Sequence, residues 1–574
     1  MRKKTIPVGV ENFAMIREKD SYYVDKTELI YELVHDTDNA VTLFTRPRRF
    51  GKTLTMSMLD TFFNIQRSDG EKLFEGLDIS KHSEFCREYM NQYPVIFLSL
   101  KDTDGLNFKS AFEMLRSAIA DFCKRLVISD KFEPVDPDDK KIFAKLKAEE
   151  GTVSDIKNSL KNLMRMMYSV YGKQVILLID EYDVPLAKAH HNGYYNQMID
   201  LIRGLMSTSL KTNPYLKFAV ITGCLRIPKE SIFTGVNNFA SYSVMDEYFS
   251  DYFGFTQNEV EDILEYYELS DKMETAKEWY DGYLFGTSEI YCPWDVIYFV
   301  RDLLKNPNRK PKNYWENTSS NSEISSFFDI PDCDPSDKFE VLLNGGSISE
   351  NITDALTYTQ IHDSESNLWS VLLMTGYLTP VNPDQDDSGL TELRIPNREI
   401  ASIFKTAVVE QFNKTLSETQ ITDMMNALWN GNEELASEII SDILWHTISY
   451  FNYSEDFYQA FLAGIFRGRS GGNEVKTDDE QGIGRSDIDY RDKRNRRAMI
   501  IETKCSDSKK DMERDCEKAI VQIKEKEYAK DLDGYKKVMR YGISFYKKQA
   551  MVKLDKKYKK TISLVTDKHK QRNK

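Results

Sequence analysis

Two groups of residues in this 574-residue chain have the types and spacing to act on phosphates. The first is the turn Arg46-Pro47-Arg48-Arg49-Phe50-Gly51-Lys52-Thr53, which follows the apolar run Val41 to Phe44 and precedes a stretch with Leu54, Met58 and Phe62 four apart. Strand, Gly-Lys-Thr turn and helix is the layout of a phosphate-binding loop. Backbone N–H groups at a helix N-terminus face an anion, Lys52 brings a mobile positive charge, and the Thr53 hydroxyl can ligate Mg²⁺. Arg49 and Phe50 belong to the same candidate nucleotide-binding loop. The usual pattern GxxxxGK[ST] wants glycine where this chain has Arg46, so the tripeptide alone is also compatible with a surface turn. About 130 residues further on, the run Val175 to Ile179 ends in Asp180-Glu181. A buried parallel strand ending in acid puts carboxylates where α/β sheets bind ligands. Asp180 is the candidate Mg²⁺ holder and Glu181 the candidate catalytic acid that orients or deprotonates an attacking water. Thr222 ends a further strand, Leu216 to Gly223, and could sense the γ-phosphate, with Arg226 and Lys229 completing a charge clamp. The plain alternative for Asp180-Glu181 is an exposed strand end that caps a helix.

The second group lies near the C-terminus. Asp487 stands in Gly484-Arg485-Ser486-Asp487-Ile488-Asp489-Tyr490, a charged turn Arg491 to Arg497 follows, and then Ala498 to Lys504. Two short strands joined by this turn predict a hairpin. Glu502 and Lys504 are two apart on the second strand and face the same way, and Asp487 on its neighbour can point at the same spot. Two carboxylates, Asp487 and Glu502, can bind Mg²⁺, and Lys504 beside them can hold or activate water against a scissile phosphate. The spacing D-x14-ExK is that of a PD-(D/E)xK nuclease core. Glu455, in a helical segment upstream, matches that core's helical acid, and Glu480 is a further candidate contributor. A solvated strand face is the plain alternative.

The elements that must position these groups follow from pattern. Apolar runs at Val41–Phe44, 94–100, 174–179 and 216–222 alternate with helical segments, which predicts a parallel, doubly wound α/β sheet. Residues 1–40 read as a lead-in that packs on the first strand. The charged stretch 128–157, with Pro134 and Pro137, reads as a surface insertion. From 250 the chain turns helical and aromatic, and Trp279, Tyr280, Tyr291, Trp294, Tyr314 and Trp315 read as core and turn anchors rather than a cofactor box. A hairpin is expected around Tyr377-Leu378-Thr379 and Leu393-Arg394-Ile395, across the Asp-rich turn Asn382 to Gly389. The resulting division is 1–250, 251–435 and 436–574.

Composition narrows the classes. Hydrophobic residues make up 41% and charged residues 29%, which suits a globular chain of several domains. No apolar run reaches the ~18 residues of a membrane span, and the basic opening MRKKTIPVGVENF lacks the apolar stretch of a signal peptide. Seven cysteines without CxxC spacing give neither a disulfide framework nor a zinc site, so a cytoplasmic location is expected. The net charge of −14 disfavours loose nucleic-acid binding by the whole surface. From Tyr541 to the end, however, eleven Lys/Arg stand against Asp555 and Asp567, which suits either a nucleic-acid contact or a solvated helix end.

Together RPRRFGKT, YYVDKT, LLIDEYDVPL, TGCLRIPKESIFTGVNNF, WYDGYLFG, GYLT and IPNREI resemble the bacterial AAA-ATPase-like family, which pairs such an ATPase with a C-terminal nuclease-like domain. The resemblance spans almost the whole chain and implies that Arg46 is this family's normal form. It carries over Gly51, Lys52 and Thr53 as the phosphate loop and Asp180 and Glu181 as the Walker B acids, with less specific counterparts at Arg226 and Asn237-Asn238. It also implies that Gln522, followed by Tyr528-Ala529, lies on the helix closing the nuclease-like domain. The expectation is a P-loop ATPase domain, a helical middle region and an α/β PD-(D/E)xK domain with a basic tail. ATP and Mg²⁺ are its cofactors and nucleic acid its partner, DNA rather than RNA. A homo-oligomer is compatible with this, because many P-loop ATPases borrow an arginine from a neighbouring subunit. The alternative is a nucleotide-switched binding module that grips nucleic acid or protein without cleaving it.

Overall fold

The computed structural model describes residues 3–35, 39–227, 232–233, 236, 238–315, 324, 335–361, 363–382, 389–415, 418–447, 455–467, 474–477, 487–525, 532 and 534–556. The chain forms two compact units, one of residues 1–330 with 347–400, the other of residues 331–346 with 401–574.

The first unit is built on five parallel strands, β1 (Val41–Thr45), β2 (Val95–Ser99), β3 (Val175–Asp180), β4 (Leu216–Gly223) and β5 (Phe239–Tyr242), in the order β2-β3-β4-β1-β5. β1 and β3 are buried at every position, as expected for strands covered on both faces. Alternation then sorts their side chains. Val41, Leu43, Leu177 and Ile179 enter one core, while Phe44, Ile176 and Leu178 enter the other. The lead-in joins the second core through Phe13, Leu29, Ile30 and Leu33, as its pattern predicts.

The stretch 128–157 is not a surface insertion. Asp136 caps a helix over Pro137–Lys147, with Pro137 at its start, where a missing N–H costs nothing. Thr152 and Asp155 form a capping box for the next helix, Val153–Tyr171. Phe132, Phe143, Leu146 and Ile156 lie in the same core as β1 and β3. The charges that suggested exposure line the outer faces of these helices.

The aromatic region behaves as core. Tyr280, Tyr291 and Tyr314 pack with Phe299 of the helix Pro293–Lys305. It carries the two-stranded hairpin β6 (Tyr283–Phe285) and β7 (Ser288–Ile290). A small sheet follows, of β8 (Ile348–Glu350), β9 (Thr379–Pro380) and β10 (Thr391–Arg394). Its antiparallel β9–β10 pair is the expected hairpin, although residues 383–388 of its turn lie outside the described residues.

The second unit has a mixed sheet, β11 (Glu474–Thr477), β12 (Ile488–Asp492), β13 (Arg497–Cys505), β14 (Lys537–Tyr546) and β15 (Gln549–Leu554), paired in that order. β13 and β14 are parallel and the other pairs antiparallel. β15 has its outer edge covered by the helix Glu433–Thr447. Ser441 Oγ, Ser437 Oγ and Glu433 Oε1 accept the N–H groups of Ala550, Val552 and Leu554, each at 2.9 Å. Four helical residues rise ~6.0 Å and two strand residues ~6.6 Å, so the two periods run together for several steps. The arrangement satisfies backbone donors that would otherwise template edge-to-edge pairing. No helix among the described residues is long and apolar enough to cross a membrane.

One buried pair in the first unit makes its stability sensitive to pH. Asp295 and Glu399 are both buried, and Glu399 Oε1 accepts N–H groups from Tyr314 and, at 2.8 Å, from Trp315. Burial raises Asp295 to about 6 and, reinforced by Asp295 itself, holds Glu399 well above the usual carboxylate range. Such a pair retains a proton that the unfolded chain releases near pH ~4. Its contribution is therefore full below the unfolded value and falls as pH rises towards about 6. Asp295→Asn should flatten the decline of stability over this window, read as denaturant midpoints against pH. Parallel curves for the two proteins would refute it.

Candidate functional site

β1 delivers the chain into the loop, and the helix Lys52–Phe63 receives it. Gly51 occupies the N-cap position at φ +84°, where a side chain would be strained, and no side chain caps the helix. The first-turn N–H groups therefore face the cavity in front of them. Arg49 also has a positive φ, +76°. Arg46 does not face a ligand. It is completely buried, with Nη1 donating to the carbonyls of Thr45 (3.0 Å) and Tyr242 (2.9 Å) and Nη2 to that of Phe249 (3.2 Å). Its guanidinium packs 5.3 Å from the Phe253 ring centroid and 5.6 Å from that of Phe285. Burial lowers its pKa to about 10, so it stays charged at neutral pH. The residue that breaks the glycine pattern is thus a bolt between β1, β5 and the segment after it.

Lys52 Nζ sits under the loop, 3.0 Å from the carbonyl oxygens of both Arg46 and Pro47 and 3.4 Å from Glu181 Oε1. Burial alone would lower its pKa, but Cys224, Glu181, Asp183 and Asp180 together hold it above its ordinary value. Asp180 is fully buried at the end of β3 and accepts two hydroxyls, from Thr53 at 2.8 Å and from Thr222 at 2.6 Å. Burial raises its pKa against the pull of these hydrogen bonds. Thr222 therefore faces Asp180 from the neighbouring strand. Glu181 has φ +54°, a strained value for a residue with a side chain, and its N–H donates to Thr222 Oγ1 at 3.4 Å. The structure brings Gly51, Lys52, Thr53, Asp180, Glu181 and Thr222 together.

A cavity of about 570 Å³ opens beside the loop, lined by Arg48 to Thr55 and Glu181 on one side and by Tyr22, Tyr23, Trp294 and Tyr298 on the other. Arg49 and Phe50 both border it, and the Arg49 guanidinium lies 3.6 Å from the Trp294 ring centroid. Arg226 is not brought to the loop and is ion-paired with Asp354. Its neighbour Lys229 and Asn237 lie outside the described residues, and the Asn238 carbonyl accepts the Val41 N–H. Sequence reasoning missed one residue beside the loop. Asp183 is buried three positions after Asp180, accepts the N–H groups of Cys224 and Leu225 at 2.9 Å each, and is raised to about 6 by burial and then by Glu181. A second acid in the run Asp-Glu-Tyr-Asp was the available signal. Trp294 packs against the aromatic core, as read from the sequence, and also borders the cavity beneath Arg49.

In the second unit, β12 and β13 form the expected hairpin, with Ile488 opposite Ile501. Asp487, one residue before β12, is therefore level with Glu502. Asp487 Oδ2 accepts the N–H (2.6 Å) and hydroxyl (2.5 Å) of Thr503, and Oδ1 accepts Gln459 Nε2 at 3.0 Å. Burial raises its pKa, Thr503 and Lys504 oppose this, and Glu455 adds to it. Glu455 begins the helix Glu455–Arg467, and its Oε1 lies 2.6 Å from Lys504 Nζ. Gln522, on the helix Met512–Glu525, donates to Glu502 Oε1. That helix comes close because Gly542, opposite Glu502 on β14, has no side chain. A Cβ there would stand 2.2 Å from the Cys516 carbonyl oxygen. Glu455, Asp487, Glu502, Lys504 and Gln522 thus assemble around one end of β13. Glu480, Gly484 to Ser486 and Tyr528-Ala529 lie outside the described residues. Two carboxylates are the ligand type a hard divalent cation takes, since it binds through few protein ligands and keeps much of its water. Among the described residues there is no cluster of three His, Cys, Asp or Glu that would make a dedicated protein cage.

Two family models match the chain, one at each candidate site. Residues 7–233 match the family model described as predicted AAA-ATPase, and residues 453–554 match that of the PD-(D/E)XK nuclease superfamily. The chain is 24% identical over 507 residues to "Uncharacterized protein in vnfD 5'region" of Azotobacter chroococcum mcd 1, spanning 85% of this chain and 87% of that relative.

The buried Arg46 yields a prediction contrary to the usual loop pattern. Arg46→Gly restores the common glycine but leaves three main-chain carbonyls without their donor. Each buried orphan costs ~1–3 kcal/mol. The variant should lose several kcal/mol of stability, measured by urea unfolding, and bind ATP more weakly. A variant as stable as the wild type would refute the role.

Proposed function

We propose that this chain, which carries an AAA-ATPase-like domain ahead of a PD-(D/E)XK nuclease superfamily domain, hydrolyses ATP in the first. Its nucleotide state then controls a Mg²⁺-dependent nuclease in the second, acting on nucleic acid and on DNA rather than RNA. The observation that carries the reading is the hydrogen bond from Thr53 to Asp180, since these are the two side chains that would share a nucleotide-bound cation. Lys52 and the first-turn N–H groups would hold the β- and γ-phosphates. Glu181, beside them, would orient the attacking water. A bound Mg²⁺ would neutralise charge developing on the phosphates. In the second unit Asp487 and Glu502 would hold the cation, Lys504 would face the scissile phosphate, and Gln522 and Glu455 would position Glu502 and Lys504.

A second reading is a nucleotide-switched binding module without cleavage. It is favoured by Lys504 being paired with Glu455 at 2.6 Å and by Thr503 occupying Asp487 Oδ2. Both interactions engage groups that catalysis would need.

Lys52→Ala should abolish ATP turnover. Asp487→Ala and Lys504→Ala should abolish Mg²⁺- or Mn²⁺-dependent cleavage while leaving ATP turnover intact. Unchanged hydrolysis in pure Lys52→Ala protein would refute the ATPase. Failure of wild type to cut DNA or RNA under either metal, with and without ATP, would leave the binding module as the reading.

A further inference from the structure

The helix along β15 carries its register one step beyond the hydrogen bonds described above. Residues 433, 437 and 441 meet 554, 552 and 550, and the next pair in the series is Trp445 with Lys548. Trp445 is 65% exposed, an unusual state for the side chain with the largest apolar area. Lys548 Nζ lies 5.1 Å from its ring centroid. The ladder fixes this indole at the β14–β15 turn, which runs through Lys547 and Lys548.

That turn lies at the end of the sheet where the candidate metal site is built. β13 and β14 run parallel, with Lys504 level with Ser544 and Cys505 level with Phe545, so the turn begins just beyond them. The same helix that supplies Glu455 and Gln459 secures it. Tyr458 stacks on Phe545 with centroids 4.1 Å apart and donates its hydroxyl to the Lys547 carbonyl at 2.5 Å. β15 stands ~10 Å from β13 across two strand spacings, with the Trp445 helix beside it. An exposed flat ring and two lysines therefore stand at the same end of the sheet as Asp487, Glu502 and Lys504.

We propose that Trp445, with Lys547 and Lys548, is a stacking platform for an unpaired base of a single DNA strand leading to or from that site. An indole face accepts any base, and ammonium groups on the flanking turn match the phosphates either side of it. A base inside a duplex is stacked on both faces and offers none, so the platform discriminates a single strand from the duplex interior. The proposal rests on the nucleic-acid reading of the second unit and extends it to substrate form.

The test is binding of short fluorescent DNA single strands, blunt duplexes and matched RNA strands to the full chain, with EDTA present to prevent cleavage. Trp445→Ala should weaken single-strand DNA binding roughly tenfold and leave duplex binding unchanged, while Trp445→Phe restores most of the loss. Lys548→Gln should lower the salt slope for single strands by ~0.7. Intrinsic fluorescence quenching by the single strand should shrink in Trp445→Phe. Equal losses for strand and duplex, or Trp445-dependent binding that favours RNA, overturn the proposal. So does an altered molar mass of Trp445→Ala with unaltered DNA affinity, which would assign the indole to contacts between copies of this chain. Wild-type protein that binds no nucleic acid removes the nucleic-acid reading as well, whereas wild-type binding that Trp445→Ala preserves removes the platform alone.

Discussion

A guanidinium with no access to water must find acceptors, and the first unit is organised around how Arg46 does so. The group stays ionised, since even a pKa lowered to about 10 is above physiological pH. Leaving it unpaired would cost several kcal/mol. Its acceptors are main-chain oxygens at the end of β1, the end of β5 and Phe249, so these three points are held in fixed relation. The Arg46 carbonyl in turn accepts Lys52 Nζ. Loop geometry and lysine position therefore rest on one buried charge. A loop with glycine at this position would gain flexibility and lose that tie. Placing Arg46 between Phe253 and Phe285 also couples the loop to the β6–β7 hairpin, which otherwise lies outside the sheet.

The second unit solves a different problem with backbone rather than charge. Its sheet ends in an edge strand, and its active face needs a helix pressed close. The serines at 437 and 441 fill both the helix and the strand requirement, because each hydroxyl donates within the helix and accepts from β15. Gly542 lets the opposite helix approach until Gln522 reaches Glu502. Position along β13 then decides chemistry. Glu502 and Lys504 share a face by alternation, and Thr503 between them points back to hold Asp487.

These comparisons show which residues could be read in advance. Apolar runs bounded by turns located β1 to β4, and two-residue alternation placed Glu502 with Lys504, because both signals are local and strong. Gly51, Lys52, Thr53, Asp180 and Thr222 converge as their strand-end positions suggested. Arg226 is held by another part of the chain, since its strand end leads into a bridge with Ala355 and Asp354 pairs with it. No local pattern encodes a partner 128 residues away. The stretch 128–157 carries helix signals in sequence, but its charges and prolines pointed to the surface, whereas Pro137 sits at a helix start and the faces beneath the charges join the core. Arg46 is the clearest limit. In sequence it reads only as a departure from the glycine pattern, and its structural part emerges once β5 and the Phe249 segment close over it.

Both candidate sites keep their key lysine occupied in the same way. Lys52 is held by two loop carbonyls and Glu181, and Lys504 by Glu455. Neither cation waits uncompensated in a partly dry site, where it would lose its charge or destabilise the fold. A phosphate arriving at either lysine would meet a carboxylate already beside it rather than a vacancy. At Lys52 it is Glu181, so phosphate binding itself would release the acid that the proposed hydrolysis uses. At Lys504 it is Glu455, whose second oxygen accepts the Cys505 N–H at 3.4 Å and keeps the carboxylate beside the strand after the exchange. On the proposed function, substrate binding and the freeing of a carboxylate would be one event, tying the reactive arrangement at each site to the presence of a phosphate.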